Sequence, residues 1–160
     1  MPSILIICTA NICRSPMAEA ILKHLVSERS DASQWHIESA GTWAVDGSQA
    51  AILSQYVMQT MGMDISEHHS QPVSYDLLQH FDLILTMENQ HKEGLSIEYA
   101  GYKDRIFTLG EMAGSHEDIK DPIGGELADY ERTAQKLEQI LSQGLNRIAQ
   151  LASAQPNTGT

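Results

Sequence analysis

The sequence is short of cysteine, short of positive charge, and without any long apolar run. Its two cysteines, Cys8 and Cys13, sit close together near the start. That is too few, and too local, for the disulfide framework of a secreted fold, so both read as reactive chemistry in a reducing compartment, with the cytoplasm as the expected location. Lys plus Arg number 10 against 21 Asp plus Glu, a formal net charge of −11. Binding to a phosphate backbone needs a basic face, so nucleic acid is not an expected partner. No apolar segment approaches the roughly 20 residues of a membrane span, and no charged-then-apolar leader pattern opens the chain, so no membrane association is expected. A G-x-x-x-x-G-K-S/T string is missing, which leaves nucleotide hydrolysis without support. The His68-His69 doublet has no companion cluster at ligand spacing, so neither a metal nor another cofactor is expected. At 160 residues and 42% hydrophobic, the chain suits one domain with a sizeable core.

What is present is concentrated in Cys8-Thr9-Ala10-Asn11-Ile12-Cys13-Arg14-Ser15-Pro16. The apolar run Ile4 to Ile7 before it suits a strand buried on both faces, and Pro16 to Val26 after it carries apolar residues at helical spacing. The loop therefore joins a strand to a helix N-terminus, where unpaired N–H groups make an anion cradle. Pro16 is expected at the first helical position, with Glu19 adding first-turn charge that complements the dipole. Within that cradle a thiol is biased toward its nucleophilic thiolate. Arg14 offers a planar fork for two phosphoryl oxygens. Ser15 can donate to the Cys8 sulfur, and Asn11 tolerates the left-handed backbone that a loop around an anion needs. The acidic global field would repel a phosphorylated substrate, so recognition rests on these local donors and added salt is not expected to slow association.

At these residues the chain resembles the low-molecular-weight protein tyrosine phosphatase family, whose C-x5-R-S-P loop opens the protein and is followed, as here, by Met17-Ala18-Glu19. The resemblance continues through Ser39-Ala40-Gly41-Thr42 and Phe81-Asp82-Leu83-Ile84-Leu85-Thr86-Met87 to Asp121-Pro122, and reaches about Gly144. It implies a phosphatase acting on phosphorylated protein substrates through a phosphocysteine at Cys8, with Arg14 and the loop from Thr9 to Ser15 holding phosphate or another oxyanion. A serine at the place of Ser39 and a histidine at the place of His68 support the loop asparagine in the family. Cys13 is implied as a disulfide partner that shields Cys8 from irreversible oxidation; its plain reading is a buried small hydrophobe. Trp43 falls where the family walls its cleft, although simple packing suits it equally.

Further along, Trp35 to Ser39 reads as a second strand and Ser48 to Met61 as a helix with Ile52, Leu53, Tyr56, Val57, Thr60 and Met61 on one face, stopped by Gly62. Ser74 to Gln79 suggests a short helix, Leu83-Ile84-Leu85 a third strand, Asn89 to Tyr99 a helix, Ile106-Phe107 a fourth strand and Glu111-Met112 a helical turn. A long helix runs from about Leu127 past Ile148. This alternation implies an α/β fold, a single three-layer domain with a four-stranded parallel sheet, helices on both faces and the site at the strands' carboxyl ends. The domain is expected over 1–151, with a frayed tail at 152–160. In the acidic loop before Gly124-Gly125, Pro122 forces Asp121 out of helical geometry and lets it hold a carboxyl over the cleft. Expelling an alkoxide or phenolate requires such an acid; Asp118 competes for the role, and the family's Asp-Pro pair favours Asp121.

Three features depart from the family pattern. Ala10 replaces a usual glycine, so its backbone is expected to be ordinary. Ile123 stands where tyrosine-specific members carry aromatics after Asp-Pro. The stretch from Met87 to Gly125 is similar to the protein-arginine phosphatase branch, whereas Ile12 matches the tyrosine branch and supplies no hydroxyl for a phosphoramidate. Phosphotyrosine hydrolysis is the first reading and phosphoarginine hydrolysis the alternative. Arsenate reduction needs more cysteines than the loop holds. A non-catalytic phosphopeptide-binding module would have little use for Cys8, Arg14 and Asp121 together. A monomer or weak dimer is expected.

Overall fold

Strand β1 (Ser3–Cys8) is the centre of the computed structural model, which describes residues 1–154. Every residue of β1 is buried, as a run with no polar alternation requires. It pairs in parallel with β2 (His36–Gly41) on one side and β3 (Leu83–Thr86) on the other, and β3 pairs in parallel with β4 (Ile106–Thr108). The order β2-β1-β3-β4 gives the expected four-stranded parallel sheet.

Successive side chains of β1 feed opposite cores. Ile4, Ile6 and Cys8 meet helix α1 (Arg14–Val26) through Met17, Ile21 and Leu22, and α6 (Leu127–Ala154) through Leu137, Ile140, Leu141 and Ile148. Leu5 and Ile7 face Leu78 of α3 (Tyr75–Leu78) and Leu95 of α4 (Asn89–Glu98). Each fully buried Leu or Ile contributes on the order of 2 kcal/mol, so both layers are held by the sheet's alternation. Because the chain leaves β1 toward β2 on one side and leaves β3 toward β4 on the other, a crevice opens at the carboxyl ends of β1 and β3, and Cys8 is the last residue of β1.

Five expectations are adjusted. Helix α1 begins at Arg14, because Cys13 already has helical geometry, so Pro16 is third rather than first and still lies in the turn whose N–H groups lack helical acceptors. No acidic residue occupies that first turn; Glu19 lies beyond it. Helix α2 (Ile52–Thr60) starts later than expected, since the backbones of Gly47 and Ser48 pair with Ser70 and the Ala51 N–H goes to the Ile12 carbonyl. It also buries Ser54, Val57 and Met58, leaving Ile52 83% and Tyr56 52% exposed. Ser54 turns inward because its hydroxyl reaches the Cys13 carbonyl at 3.4 Å. Finally, α6 continues to Ala154, past the boundary expected at 151; the rest of the expected tail, 155–160, lies outside the described residues. The remaining α-helix among the described residues is α5 (Leu109–Met112), and two 3-10 turns cover Ala32–Gln34 and Ala100–Arg105. Among the described residues no helix is long and apolar enough to cross a membrane.

Candidate active site

The loop from Cys8 to Arg14 is held by its carbonyls. Those of Cys8 and Thr9 accept from the N–H groups of Thr42 and Trp43 at 3.0 and 2.9 Å, that of Ile12 from Ala51 at 2.8 Å, and that of Cys13 from Ser54. The Asn11 carbonyl accepts from His68 Nε2 at 2.8 Å, which fixes that ring nitrogen as the protonated one. With these oxygens tied outward, the loop's amides are left for an anion. Gly41 makes the anchoring possible: a β-carbon there would lie 2.4 Å from the Thr9 oxygen.

Asn11 is fully buried and has φ 59°, the one non-glycine positive φ among the described residues. Ala10 is not so placed, as its identity led us to expect. The Asn11 amide is oriented by the Gln71 N–H, which donates to Oδ1 at 3.0 Å, and Nδ2 donates to Ser15 Oγ at 2.7 Å and to Ser39 Oγ at 2.9 Å. The Ser39 hydroxyl in turn donates to Glu19 Oε1 at 2.7 Å. Ser15 Oγ therefore accepts from Asn11 and directs its proton at Cys8 Sγ, 3.0 Å away. The Asn11 N–H adds a second donor to that sulfur at 3.3 Å. The sulfur thus faces two hydrogen-bond donors, one from a side chain and one from the backbone.

Arg14 is 1% exposed. Its Nη1 donates to Glu88 Oε2 at 2.9 Å and to the Ile119 carbonyl at 2.7 Å, while Nη2 lies 3.4 Å from Thr9 Oγ1 and 3.5 Å from Asp121 Oδ2. Its Nε is buried with no partner among the described residues, the kind of donor an oxyanion would satisfy. Burial pushes the Glu88 carboxyl up, but the hydrogen bond and charge of Arg14 outweigh it and leave Glu88 below the usual carboxylate range.

Asp121 and Ile123 wall the cavity over Cys8 and Arg14, together with Ala10 and Ile12. Asp121 Oδ1 accepts from the Ile123 N–H at 3.0 Å, which steadies the carboxyl. Asp118 is engaged elsewhere, accepting the Asn89 N–H at 2.8 Å at the start of α4. Trp43, 86% exposed, is not brought to this cavity; with Thr9, Val73, His91 and Tyr99 it lines a groove on the α4 side of the loop. Cys13 is buried, its sulfur 3.6 Å from Tyr130 Oη. Burial raises the Cys13 thiol above its ordinary value, and burial together with Cys13 pushes the Tyr130 hydroxyl up to about 12. His69 is exposed beside His68.

Sequence reasoning gave Glu19 only a first-turn charge rather than its contact with Ser39, and missed Gln71, Glu88 and His91. Glu88 was findable: it follows the carboxyl end of β3, the strand beside β1, where this topology collects site residues. Glu19 follows Ser15 at the spacing that shares one helix face.

The family model described as low molecular weight phosphotyrosine protein phosphatase matches residues 3–154. A protein-arginine-phosphatase of Bacillus subtilis is 36% identical over 141 residues, 88% of this chain and 92% of its own. The probable low molecular weight protein-tyrosine-phosphatase EpsP of Ralstonia nicotianae is 34% identical over 149 residues, 93% and 97% respectively. Among solved structures, the low molecular weight protein tyrosine phosphatase from T. tengcongensis has a TM-score of 0.84 at 35% identity, covering 92% of this chain and 99% of that one. A serine mutant of the YwlE arginine phosphatase, whose active-site serine is phosphorylated, also has a TM-score of 0.84, at 34% identity over 95% of this chain and 97% of that one. With a thiol, a guanidinium and a carboxyl converging at the carboxyl end of β1, and a match over nearly the whole length, the chain belongs to the low molecular weight phosphotyrosine protein phosphatase family.

Proposed function

We propose that the protein hydrolyses phosphotyrosine in protein substrates through a phosphocysteine, acting as a cytoplasmic monomer or weak dimer. The observation that carries this reading is the sulfur of Cys8 held by Ser15 and the Asn11 N–H inside a loop whose next helix begins with Arg14. In the first step Cys8 Sγ attacks phosphorus, the bond from phosphorus to the phenolic oxygen breaks, and Asp121 in its acid form gives that oxygen a proton. In the second step water attacks the phosphocysteine and Asp121 takes its proton. The S–P bond breaks, Ser15 supports the departing sulfur, and inorganic phosphate leaves. Arg14 and the loop amides hold the equatorial oxygens throughout. No step requires a metal.

The walls of the cavity support an aromatic leaving group. Ile12 and Ile123 are apolar and flank Cys8, and neither can donate a hydrogen bond to the nitrogen of a phosphoramidate. Phosphoarginine is the second reading, supported by the 36% identity to the Bacillus subtilis protein-arginine-phosphatase. A pair of peptides phosphorylated on tyrosine or on arginine separates them, with Cys8→Ser as the blank: a higher kcat/KM for phosphotyrosine is expected, and the reverse preference would replace the first reading with the second.

Cys13 has a protective role in this reading. Peroxide oxidises Cys8 to a sulfenic acid, and the Cys13 thiol then forms a disulfide with it, releasing water. Inactivation by peroxide that a thiol reductant fails to reverse would remove this role.

A further inference from the structure

One buried titratable group at the site has no part in the steps above. His91, in the first turn of α4, is 5% exposed. Its Nδ1 accepts the backbone N–H of Glu88 at 3.2 Å, so that nitrogen carries no proton and the ring proton sits on Nε2. Nε2 lies 2.9 Å from Thr9 Oγ1 and therefore donates to it. Arg14 Nη2, which can only donate, lies 3.4 Å from the same oxygen. His91 thus stands behind two of the groups that orient the guanidinium. It holds Thr9 directly, and it holds Glu88 from both sides: Nδ1 accepts the Glu88 N–H, and the His91 N–H donates to the Glu88 backbone carbonyl at 3.1 Å.

We propose that His91, as the neutral imidazole with its proton on Nε2, is a positioning residue for Arg14. It acts through Thr9, which meets Nη2, and Glu88, which meets Nη1, fixing the guanidinium so that the unpartnered Nε is left for the oxyanion. The inference rests on the phosphatase reading above.

The charged groups around the ring are Glu88, whose Oε2 lies 3.5 Å from Nε2, Arg14 of α1, and Asp118 and Asp121 of the loop before Gly124. Burial holds His91 below the ordinary histidine range; Glu88 opposes this and Arg14 adds to it. A second ring proton would set Nδ1–H against the Glu88 N–H and draw the Glu88 carboxylate away from Arg14. The arrangement is therefore complete while His91 is neutral, and it is lost as pH falls below the ordinary histidine value and through the lower value of His91.

The test uses the full chain as wild type, His91→Ala and His91→Gln. It measures kcat/KM on a phosphotyrosine peptide from about pH 5 to 8 and, by calorimetry, the affinity for inorganic phosphate. Losing a hydrogen bond that orients a charged group, His91→Ala is expected to lower kcat/KM and phosphate affinity about tenfold each. His91→Gln offers an acceptor to the Glu88 N–H and a donor to Thr9 without titrating. It should recover most of that loss and flatten the part of the acid limb that His91 supplies. Phosphate affinity and an acid limb equal to wild type in both variants, with only the melting temperature lowered, would reduce His91 to a helix cap and overturn the proposal. If His91→Ala does not fold, the acid limb of His91→Gln decides alone. Phosphate binding reads the alignment of Arg14 without turnover. A wild type that binds phosphate yet leaves the peptide intact would overturn the functional reading while the variants still test His91; a wild type that binds none would overturn both.

Discussion

Replacing Asn11 tests how the loop is built. Its side chain makes hydrogen bonds to Ser15, Ser39 and the Gln71 N–H from a fully buried position at φ 59°. Asn11→Ala removes these bonds, at about 1 kcal/mol net each. It also places alanine in the left-handed region, at a further cost of about 1 kcal/mol. The sum, about 4 kcal/mol, is a large share of the roughly 5–15 kcal/mol that holds a domain together, so the variant should fold with a melting temperature about 10 °C lower. Asn11→Gly loses the same bonds but keeps the backbone unstrained, and should be about 1 kcal/mol more stable than Asn11→Ala, reversing the usual order of the two residues. In both variants Ser15 loses the donor that turns its proton toward Cys8. A hydrogen bond to a charged group is worth about 1.5–3 kcal/mol, so kcat should fall about 10- to 100-fold. Urea unfolding followed by circular dichroism gives the stabilities, and turnover of a phosphotyrosine peptide gives kcat. An alanine variant as stable as the glycine one, or either variant with full kcat, would refute the reasoning.

Three further outcomes follow from the site. Asp121→Asn should lower kcat by about 10²- to 10⁴-fold with little change in stability, whereas Asp118→Asn, which weakens the start of α4, should do the opposite; equal kinetic losses would undo the assignment. Gly41→Ala puts a β-carbon 2.4 Å from the Thr9 oxygen and 2.8 Å from Ala44 Cβ, so the loop must shift, at about 1–3 kcal/mol. Phosphate affinity should fall at least about tenfold, and wild-type affinity would contradict the close approach. Glu88, held below the usual carboxylate range once Arg14 overcomes burial, adds stability that is present above the ordinary value and lost as pH falls through its own lower one. In Glu88→Gln the urea midpoint should therefore lose part of its decline below about pH 4.5, and an unchanged decline would show that the pair does not couple to folding.

The loop and the sheet were legible in the sequence because their signals are local. Ile4 to Ile7 is apolar without alternation, and Cys8, Arg14, Ser15 and Pro16 are fixed by their spacing. Ser39 and His68 were reached through family resemblance, and each meets Asn11 by a hydrogen bond. The buried face of α2 was not legible, since apolar residues at 52, 53, 56, 57, 58 and 61 fit more than one helical stripe, and the one that packs into the core through Val57 and Met58 also carries polar Ser54. Trp43 shows the limit of assigning a wall by position, because the turn after β2 carries it to the α4 side. Glu88 and His91 were hidden for a similar reason. Their roles depend on the parallel pairing of β1 with β3, which brings the start of α4 beside residues about 80 positions earlier, as the Thr9–His91 contact at a separation of 82 illustrates.

The most direct measurement is acid quench of the wild type and of Asp121→Ala during turnover of para-nitrophenyl phosphate, followed by mass spectrometry of the peptide that contains Cys8. This leaving group departs with little need of a proton, so removing Asp121 spares the first step and slows the second. One phosphoryl group on Cys8, accumulating further in Asp121→Ala than in the wild type, is the expected result. Undiminished turnover with the phosphoryl group on another residue, or on none, would contradict the phosphocysteine mechanism.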